Sequence, residues 1–206
     1  IQGAEAKRVA VGGSARGILQ QVLNSRKDDK LFGEGSVDIF FLAKPMVFTT
    51  FFADFESIGG LGPDEVIGSL SRLNTDAETL GAGVTDQMKV RESWLHMRFL
   101  KDRVNVFLGK VDLTNYFDRN IVANDETVKF LNTALVNNPL LRQPPNGPGL
   151  VVRYDPSGQV GLGIGIQSPN NSGATIAEKV HAIAEMDYHT HFLFAREGNY
   201  RLWGRI

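Results

Sequence analysis

Residues 159–167, Gln-Val-Gly-Leu-Gly-Ile-Gly-Ile-Gln, alternate aliphatic residues with glycine. Successive side chains of a β-strand point to opposite faces, so this run predicts a strand with one apolar face and one face of glycine. The apolar row consists of Val160, Leu162, Ile164 and Ile166. A tilted strand needs about 9–11 residues to cross a bilayer, and this run has the required length. We therefore predict a membrane-spanning strand, in which the glycines leave room for a neighbouring plug or mark curvature of the sheet.

The composition excludes several classes of function. The 206 residues include 22 Lys and Arg and 23 Asp and Glu, and this balance provides no basic surface for nucleic acid. Cysteine is absent, which excludes disulfides, thiolate chemistry and cysteine-based metal sites, and we expect no cofactor. The sequence has no apolar run of about 18 residues and therefore predicts no transmembrane helix. It also lacks a basic stretch followed by an apolar one, so we expect that any signal peptide has been removed.

The same two-faced pattern recurs at residues 89–100. One row is mostly apolar: Arg91, Ser93, Leu95, Met97 and Phe99. The other row is polar apart from one tryptophan: Glu92, Trp94, His96 and Arg98. An arginine that faces lipid at the membrane midplane costs about 2–4 kcal/mol, so we predict that the polar row faces water. Arg91 lies at the strand end, where we expect its side chain to reach the membrane interface.

Two further segments divide in this way. After a turn at residues 101–103, the apolar row of Val104, Val106 and Leu108 opposes Asn105, Phe107 and Gly109. In the last predicted strand, residues 199–206, Tyr200 and Leu202 oppose Arg201, Trp203 and Arg205. Each segment is predicted to present its apolar row to lipid and its polar row to an aqueous channel.

We predict a single domain over residues 1–206. Other strands are expected at 36–43, 47–56, 150–155 and 188–196, with a weak candidate at 79–85. Residues 7–24 are predicted to form two strands joined by a turn at Gly12-Gly13, and a tight turn is predicted at 197–199. Residues 112–148 break the pattern and predict an inserted loop with a short helix that begins at Asp125. Short helices are also expected within 64–74 and 174–184.

Two acidic residues and two histidines each share a strand face. Asp54 and Glu56 form the acidic pair, and paired carboxylates are typical of glycosidases, so a soluble carbohydrate-acting enzyme or lectin remains an alternative. His189 and His191 could bind a metal, but no third ligand has a suitable spacing, so we expect a structural role and no metal. The glycines at 161–165 alternate within a strand instead of lying at a strand-to-helix turn, which argues against a nucleotide-binding loop.

Residues 92–139 carry several ordered motifs. They are Glu-Ser-Trp-Leu-His-Met-Arg-Phe-Leu-Lys-Asp-Arg at 92–103, Gly-Lys-Val-Asp-Leu-Thr-Asn-Tyr-Phe-Asp at 109–118, Ala-Asn-Asp-Glu-Thr at 123–127, Phe-Leu-Asn at 130–132 and Ala-Leu-Val-Asn-Asn-Pro at 134–139. With Gly-Asn-Tyr-Arg-Leu at 198–202, they resemble the bacterial carbohydrate-selective porins of the OprB type. The resemblance implies an all-β fold: an antiparallel transmembrane β-barrel, sixteen-stranded in the family, of which this chain would hold about eight strands. Because these porins run to about twice this length, we expect an incomplete chain.

The resemblance also implies passive diffusion of monosaccharides and other small polar solutes across a bacterial outer membrane, through an aqueous channel that the inserted loop constricts. Candidate pore-lining and sugar-binding residues, taken from the polar rows, are Glu92, Trp94, His96, Arg98, Asn105, Arg201, Trp203 and Arg205. Candidate residues of the constricting loop are Asp118, Arg119, Asn124 and Asp125. Either tryptophan could instead belong to an interfacial girdle.

The expected partners are small sugars and outer-membrane lipid. The sequence leaves self-association open. It also leaves open an alternative in which the barrel is a structural envelope protein with little transport.

Overall fold

The computed structural model describes residues 8–23, 29–68, 70–78, 86–170, 179–191 and 197–206. These residues form one antiparallel sheet of nine strands, in which each strand pairs with the next along the chain. The strands are β1 (Val9–Val22), β2 (Lys30–Ala43), β3 (Thr49–Gly60), β4 (Asp86–Phe99), β5 (Val104–Val111), β6 (Gly147–Ser157), β7 (Val160–Gln167), β8 (His181–His191) and β9 (Glu197–Arg205). The connections contain two short α-helices, α1 (Thr75–Glu78) and α2 (Thr114–Phe117), and 3-10 turns at Pro63–Glu65 and Thr133–Leu135. The prediction of an all-β antiparallel fold is confirmed.

The connections differ in length at the two ends of the sheet. At one end β2 and β3, β4 and β5, and β6 and β7 are joined by short turns. In the turn after β4, Leu100, Lys101 and Asp102 take positive φ angles of 52°, 56° and 66°, as the tight reversal requires. At the other end lie the β3–β4 loop, of which residues 61–68 and 70–78 are described, and the β5–β6 loop (residues 112–146). The described parts of both loops contact the same face of the sheet. The second of these loops falls within the predicted insertion at 112–148.

One face of the sheet carries exposed apolar side chains, and we call it the apolar face. In β7, Leu162, Ile164 and Ile166 are 40%, 55% and 42% exposed. Other strands continue this surface with Val11, Leu19, Val37, Ile39, Leu108, Met186 and Leu202. The apolar row of β7 therefore lies on the surface, as its alternation with glycine predicts.

The β5–β6 loop packs on the opposite face, which we call the loop-covered face. The buried apolar residues between loop and sheet are Val111, Leu113, Phe117, Leu141, Val151 and Ile183. A Cβ built on Gly165 would lie 2.5 Å from Cε2 of Phe117 and 3.0 Å from Cδ2 of Leu113. On Gly163 it would lie 3.1 Å from Cε1 of Phe117. The glycine row thus makes room for a neighbouring element, which confirms that interpretation of the pattern.

The predicted turn at Gly12-Gly13 is wrong, because β1 continues through both residues and pairs with β2 along its whole length. A Cβ on Gly13 would lie 2.8 Å from the carbonyl oxygen of Asp38. Glycine at this position allows a close approach of two strands instead of a reversal. The second strand also begins earlier than predicted, at Lys30 instead of residue 36.

The predicted helix that begins at Asp125 is also wrong. The Asp125 carboxylate accepts hydrogen bonds from the backbone N–H groups of Thr127 (2.9 Å) and Val128 (2.8 Å), and residues 126–129 form turns. Such a side chain offers the backbone an alternative to helix. The loop's short α-helix is instead α2. None of the helices in the described ranges is both long and apolar enough to cross a membrane.

The remaining local predictions have different outcomes. Residues 197–199 belong to β9 and residues 181–184 to β8, so the predicted turn and helix are wrong at these positions, where strand pairing prevails. Within 64–74 the described helical structure is a single 3-10 turn at Pro63–Glu65. The weak strand candidate at 79–85, residues 174–178 of the predicted helix and residues 192–196 lie outside the described residues.

Replacing Gly165 with alanine should loosen the β5–β6 loop, because the new methyl group would overlap Phe117. Overpacking of this kind typically costs about 1–3 kcal/mol. We expect faster hydrogen exchange in the backbone of α2 and a lower unfolding temperature in detergent. Gly17→Ala is the matched control, since a Cβ there has no atom within 4 Å. Equal exchange in α2 of the two variants would contradict the packing described above.

Candidate functional site

A β-bulge shapes the middle of the loop-covered face. Asp54 pairs with Glu92 while Phe55 pairs with Val90, so Arg91 is an extra residue in β4. An extra residue reverses the alternation of side chains, and it turns Arg91 to the same face as Glu92. The prediction that Arg91 reaches the membrane interface is therefore wrong.

Arg91 joins an ion-pair group between the sheet and the β5–β6 loop. Its Nη1 lies 2.9 Å from Oε1 of the buried Glu56, and its Nη2 contacts the Glu126 carboxylate. Lys89 Nζ lies 2.8 Å from the other oxygen of Glu56. The guanidinium of Arg91 therefore links the sheet, which we also call the wall, to the β5–β6 loop.

Glu92 and Trp94 lie on the loop-covered face, as their row predicts. The Trp94 Nε1–H donates to one Glu92 oxygen at 3.0 Å, and Asn115 of the loop donates to the other at 3.1 Å. The indole stacks on Phe52 with ring centroids 4.9 Å apart. It belongs to an aromatic row that crosses four strands and reaches the loop: Phe40, Phe52, Trp94, Phe107 and Tyr116.

His96, Arg98 and Asn105 form a second group, near the short turns. Oδ1 of Asn105 lies 2.9 Å from His96 Nε2, and its amide nitrogen donates to the Asp102 carbonyl. Arg98 Nη2 donates to the Val47 carbonyl at 2.6 Å. His96 and Asn105 are therefore in contact, and Arg98 is the cross-strand partner of Asn105.

Arg201 and Trp203 belong to a third group, at the β8–β9 side. Trp203 is 36% exposed, and its Nε1–H donates to Glu185 at 2.6 Å. Arg201 Nε lies 3.4 Å from Oδ1 of Asp187. Arg205 lies on the same face, beside the start of β8. The eight candidate pore-lining residues thus share one face but form separate groups.

The four predicted residues of the β5–β6 loop differ in whether they contact the sheet or only other parts of the loop. Arg119 contacts both Glu185 (3.0 Å) and Asp187, the same buried acids that Arg153 of β6 binds at 2.9 and 2.8 Å. Asp118 accepts a hydrogen bond from the backbone N–H of Asn138. Asn124 accepts one from Lys129 at 2.7 Å, within the loop. Asp125 shapes the turn described above.

Several residues of the site are absent from the predicted set. On β1 and β2, Arg16 contacts the Asp38 carboxylate and also donates to Thr127 of the loop at 2.7 Å. Glu185 and Asp187 bind Arg119 of the loop and also Arg153 of β6. Their alternation with apolar neighbours, in predicted or adjoining strands, was the signal that could have identified them. No signal in the sequence indicated which loop residues they contact.

The loop carboxylates respond to burial in different ways. Burial raises the pKa of Asp112 above its usual value, although Thr114 donates to it from its N–H (2.8 Å) and hydroxyl (2.6 Å). At Asp125 burial also raises the pKa, but the hydrogen bonds from Val128 and Thr127 outweigh it and leave the pKa lowered. Burial likewise raises the pKa of the Tyr116 hydroxyl.

The described residues contain no group of three or more His, Asp and Glu side chains that could hold a metal ion. The side chain of His191 lies outside the described part of the chain. Glu56, one of the two acids of the enzyme alternative, is held by Lys89 and Arg91. A carboxylate in two ion pairs is typical of a structural network.

Arg91→Ala should destabilise the protein, because it leaves Glu126 and part of the charge on Glu56 without a partner. Removing one member of a buried ion pair lowers the free energy of unfolding by about 3–5 kcal/mol. Because Lys89 remains paired with Glu56, we expect a loss at the low end of this range. Urea unfolding in detergent would measure it. Arg103→Ala, in the exposed turn after β4, is the matched control. A loss no larger than that of the control would contradict the ion-pair geometry.

The carboxyl group of Asp76 should make the contact between the β3–β4 loop and the β5–β6 loop depend on pH. Burial, with the hydrogen bond and charge of Glu34, raises the pKa of Asp76 from 3.8 to about 7, and Glu56 and Glu126 add to the repulsion. A raised carboxyl pKa stabilises the folded state at low pH, and this contribution is lost as the pH rises from about 4 to about 7. The Thr75 amide, which donates to the Leu131 carbonyl at 2.8 Å, should therefore exchange with less protection at pH 8 than at pH 5. Asp76→Asn should flatten this dependence, and an unchanged slope in that variant would refute the assignment.

Comparison with known proteins places this geometry in a family. The family model described as "Carbohydrate-selective porin, OprB family" matches residues 48–199. An Aquifex aeolicus (strain VF5) protein named "Uncharacterized protein" is 36% identical over 92 residues, which are 45% of this chain and 30% of that protein. The high-pH structure of Pseudomonas putida OprB superposes with a TM-score of 0.73 and 15% identity over 97% of this chain and 52% of the other. The chain thus spans about half the length of the solved porin, and it belongs to the OprB family of carbohydrate-selective porins.

Proposed function

We propose that this chain forms part of the wall and the constriction of a channel in the bacterial outer membrane, through which monosaccharides and other small polar solutes diffuse passively. The observation that carries the proposal is the division of one sheet into an apolar face and a face that holds a charged loop. A sheet of this kind separates hydrocarbon from an aqueous lumen.

The apolar face fits contact with lipid. Its exposed side chains include Leu162, Ile164 and Leu202. The opposite face of the same sheet carries Arg153, Glu185 and Arg201. A soluble protein rarely exposes so extended an apolar surface. Reversing the faces would place several charges in hydrocarbon, at about 2–4 kcal/mol for each arginine at the midplane.

The loop-covered face fits a polar solute that keeps its hydrogen bonds while it passes. Glu92, His96 and Asn105 offer oxygen and nitrogen atoms at different heights along β4 and β5. A sugar can exchange hydrogen bonds with water for hydrogen bonds with such groups at little net cost. This supports diffusion with selectivity and requires no chemical step.

The two tryptophans differ in the ring surface that they offer to a sugar. Trp94 is packed between Phe52 and Phe107, whereas the indole of Trp203 is oriented by its hydrogen bond to Glu185. A pyranose has an apolar face that can lie on an indole, while its hydroxyl groups reach the carboxylates beside it. We therefore assign the stacking role to Trp203 ahead of Trp94.

Liposome swelling with the protein at its full natural length would test the proposal. Glucose should enter, and Trp203→Ala should lower its rate relative to sorbitol, which has no ring to stack. An aromatic contact is worth about 0.5–1.5 kcal/mol, which corresponds to a change of about 2- to 10-fold in this ratio. Trp203→Phe is the matched control and should retain most of the preference.

Two other results would each contradict a different part of the proposal. No swelling with any solute would refute the channel and favour the structural-barrel alternative. Swelling with an unchanged glucose-to-sorbitol ratio in Trp203→Ala would retain the channel and refute the stacking role.

A further inference from the structure

The β3–β4 loop and the β5–β6 loop are joined by hydrogen bonds between their backbones. The Thr75 N–H donates to the Leu131 carbonyl at 2.8 Å, and the Thr133 N–H donates to the Arg72 carbonyl at 3.0 Å. Side chains add to this contact: Ser71 Oγ donates to Asn132 Oδ1 at 3.0 Å, and the hydroxyls of Thr75 and Thr133 are 2.9 Å apart. The two loops therefore form one continuous structure.

Asn74 fixes the β3–β4 loop to the wall. It is 1% exposed, and its amide nitrogen donates to Gln20 of β1 at 2.9 Å and to Glu34 of β2 at 2.7 Å. Its Oδ1 accepts a hydrogen bond from the Ala77 N–H at 3.1 Å, at the start of α1. The Asp64 carboxylate holds the preceding backbone by accepting from the N–H groups of Leu73 and Asn74. Contacts thus run from the sheet to Asn74, and from the neighbouring Thr75 to the backbone of the β5–β6 loop.

Apolar packing holds the outer part of the β5–β6 loop only weakly. Phe117 and Leu141 are buried near its two ends. Between them most of the large apolar side chains are exposed: Ile121, Val122, Val128, Phe130, Leu135 and Leu140. The position of this part therefore depends on polar contacts, namely those of Arg91 with Glu126, Arg16 with Thr127, and the bonds to the β3–β4 loop.

We propose that residues 71–78 of the β3–β4 loop are a positioning element that sets the width of the constriction, with Asn74 as its anchor and residues 131–133 of the β5–β6 loop as the segment on which it acts. The proposal rests on the proposed channel function. Residues 71–78 do not need to touch the solute. They determine how far the β5–β6 loop extends from the wall.

A reversible cross-link can test this directly, because the chain contains no cysteine. The two hydroxyls at Thr75 and Thr133 are 2.9 Å apart, so cysteines at both positions can approach the disulfide distance of about 2.05 Å. The backbone hydrogen bonds of both residues would remain. Three variants of the full-length protein are needed: Asn74→Ala, Thr75→Cys with Thr133→Cys, and the triple combination.

The readouts are single-channel conductance and the swelling rate for sucrose relative to glucose. Asn74→Ala should raise both about two- to threefold, because the solute limit of a pore follows the width of its constriction. In the triple variant an oxidant should return both values to those of the parent, and a reductant should restore the increase. Thr75→Cys alone, treated in the same way, is the control and should not respond.

The outcomes separate this inference from the proposed function. A parent protein that conducts nothing refutes the channel. A conducting parent whose sucrose-to-glucose ratio is unchanged by Asn74→Ala refutes the positioning role, as does an increase that the disulfide fails to reverse. If Asn74→Ala does not fold, the double-cysteine variant decides alone: oxidation should reduce the open-channel current noise, and unchanged noise with the disulfide formed refutes the role.

Discussion

The contact between Phe117 and the glycine row of β7 is the constraint on which the loop-covered face depends. Burying a phenylalanine contributes about 1.5–3 kcal/mol, and here the ring reaches the sheet because Gly163 and Gly165 present no side chains. The contact also places Arg119, two residues later, beside Glu185 and Asp187. One apolar contact thereby positions an ion-pair network, since a loop without it would have to order many residues by polar bonds alone.

The ion pairs then serve two purposes on this face. Arg16 and Arg91 lie on the sheet, and each contacts both a carboxylate of the sheet and the β5–β6 loop. Arg119 lies on the loop and contacts two carboxylates of β8, so all three arginines attach the loop to the sheet. Charges in pairs are also compatible with the proposed channel for neutral solutes. The lipid contact proposed for the apolar face requires no such network, because apolar contacts are not directional.

Alternation along the chain predicted much of the fold and the orientation of the candidate site. Trp94, His96, Asn105 and Arg201 lie on the predicted face, because strand periodicity is a local property. Arg91 does not, because a bulge opposite Asp54 reverses the alternation, and the bulge results from pairing with β3. The sequence pattern predicts a helix that begins at Asp125, but the Asp125 carboxylate closes a turn, because side-chain hydrogen bonds compete with helix formation.

The sequence by itself determined the two-faced strands, the family and the presence of an inserted loop between β5 and β6. It did so because side-chain alternation and short motifs are written in neighbouring residues. Only the tertiary structure decided which partners the loop has: Phe117 against the glycines, Arg91 with Glu126, and the β3–β4 loop held by Asn74. These contacts join residues far apart in the chain, and no local pattern specifies the distance between them.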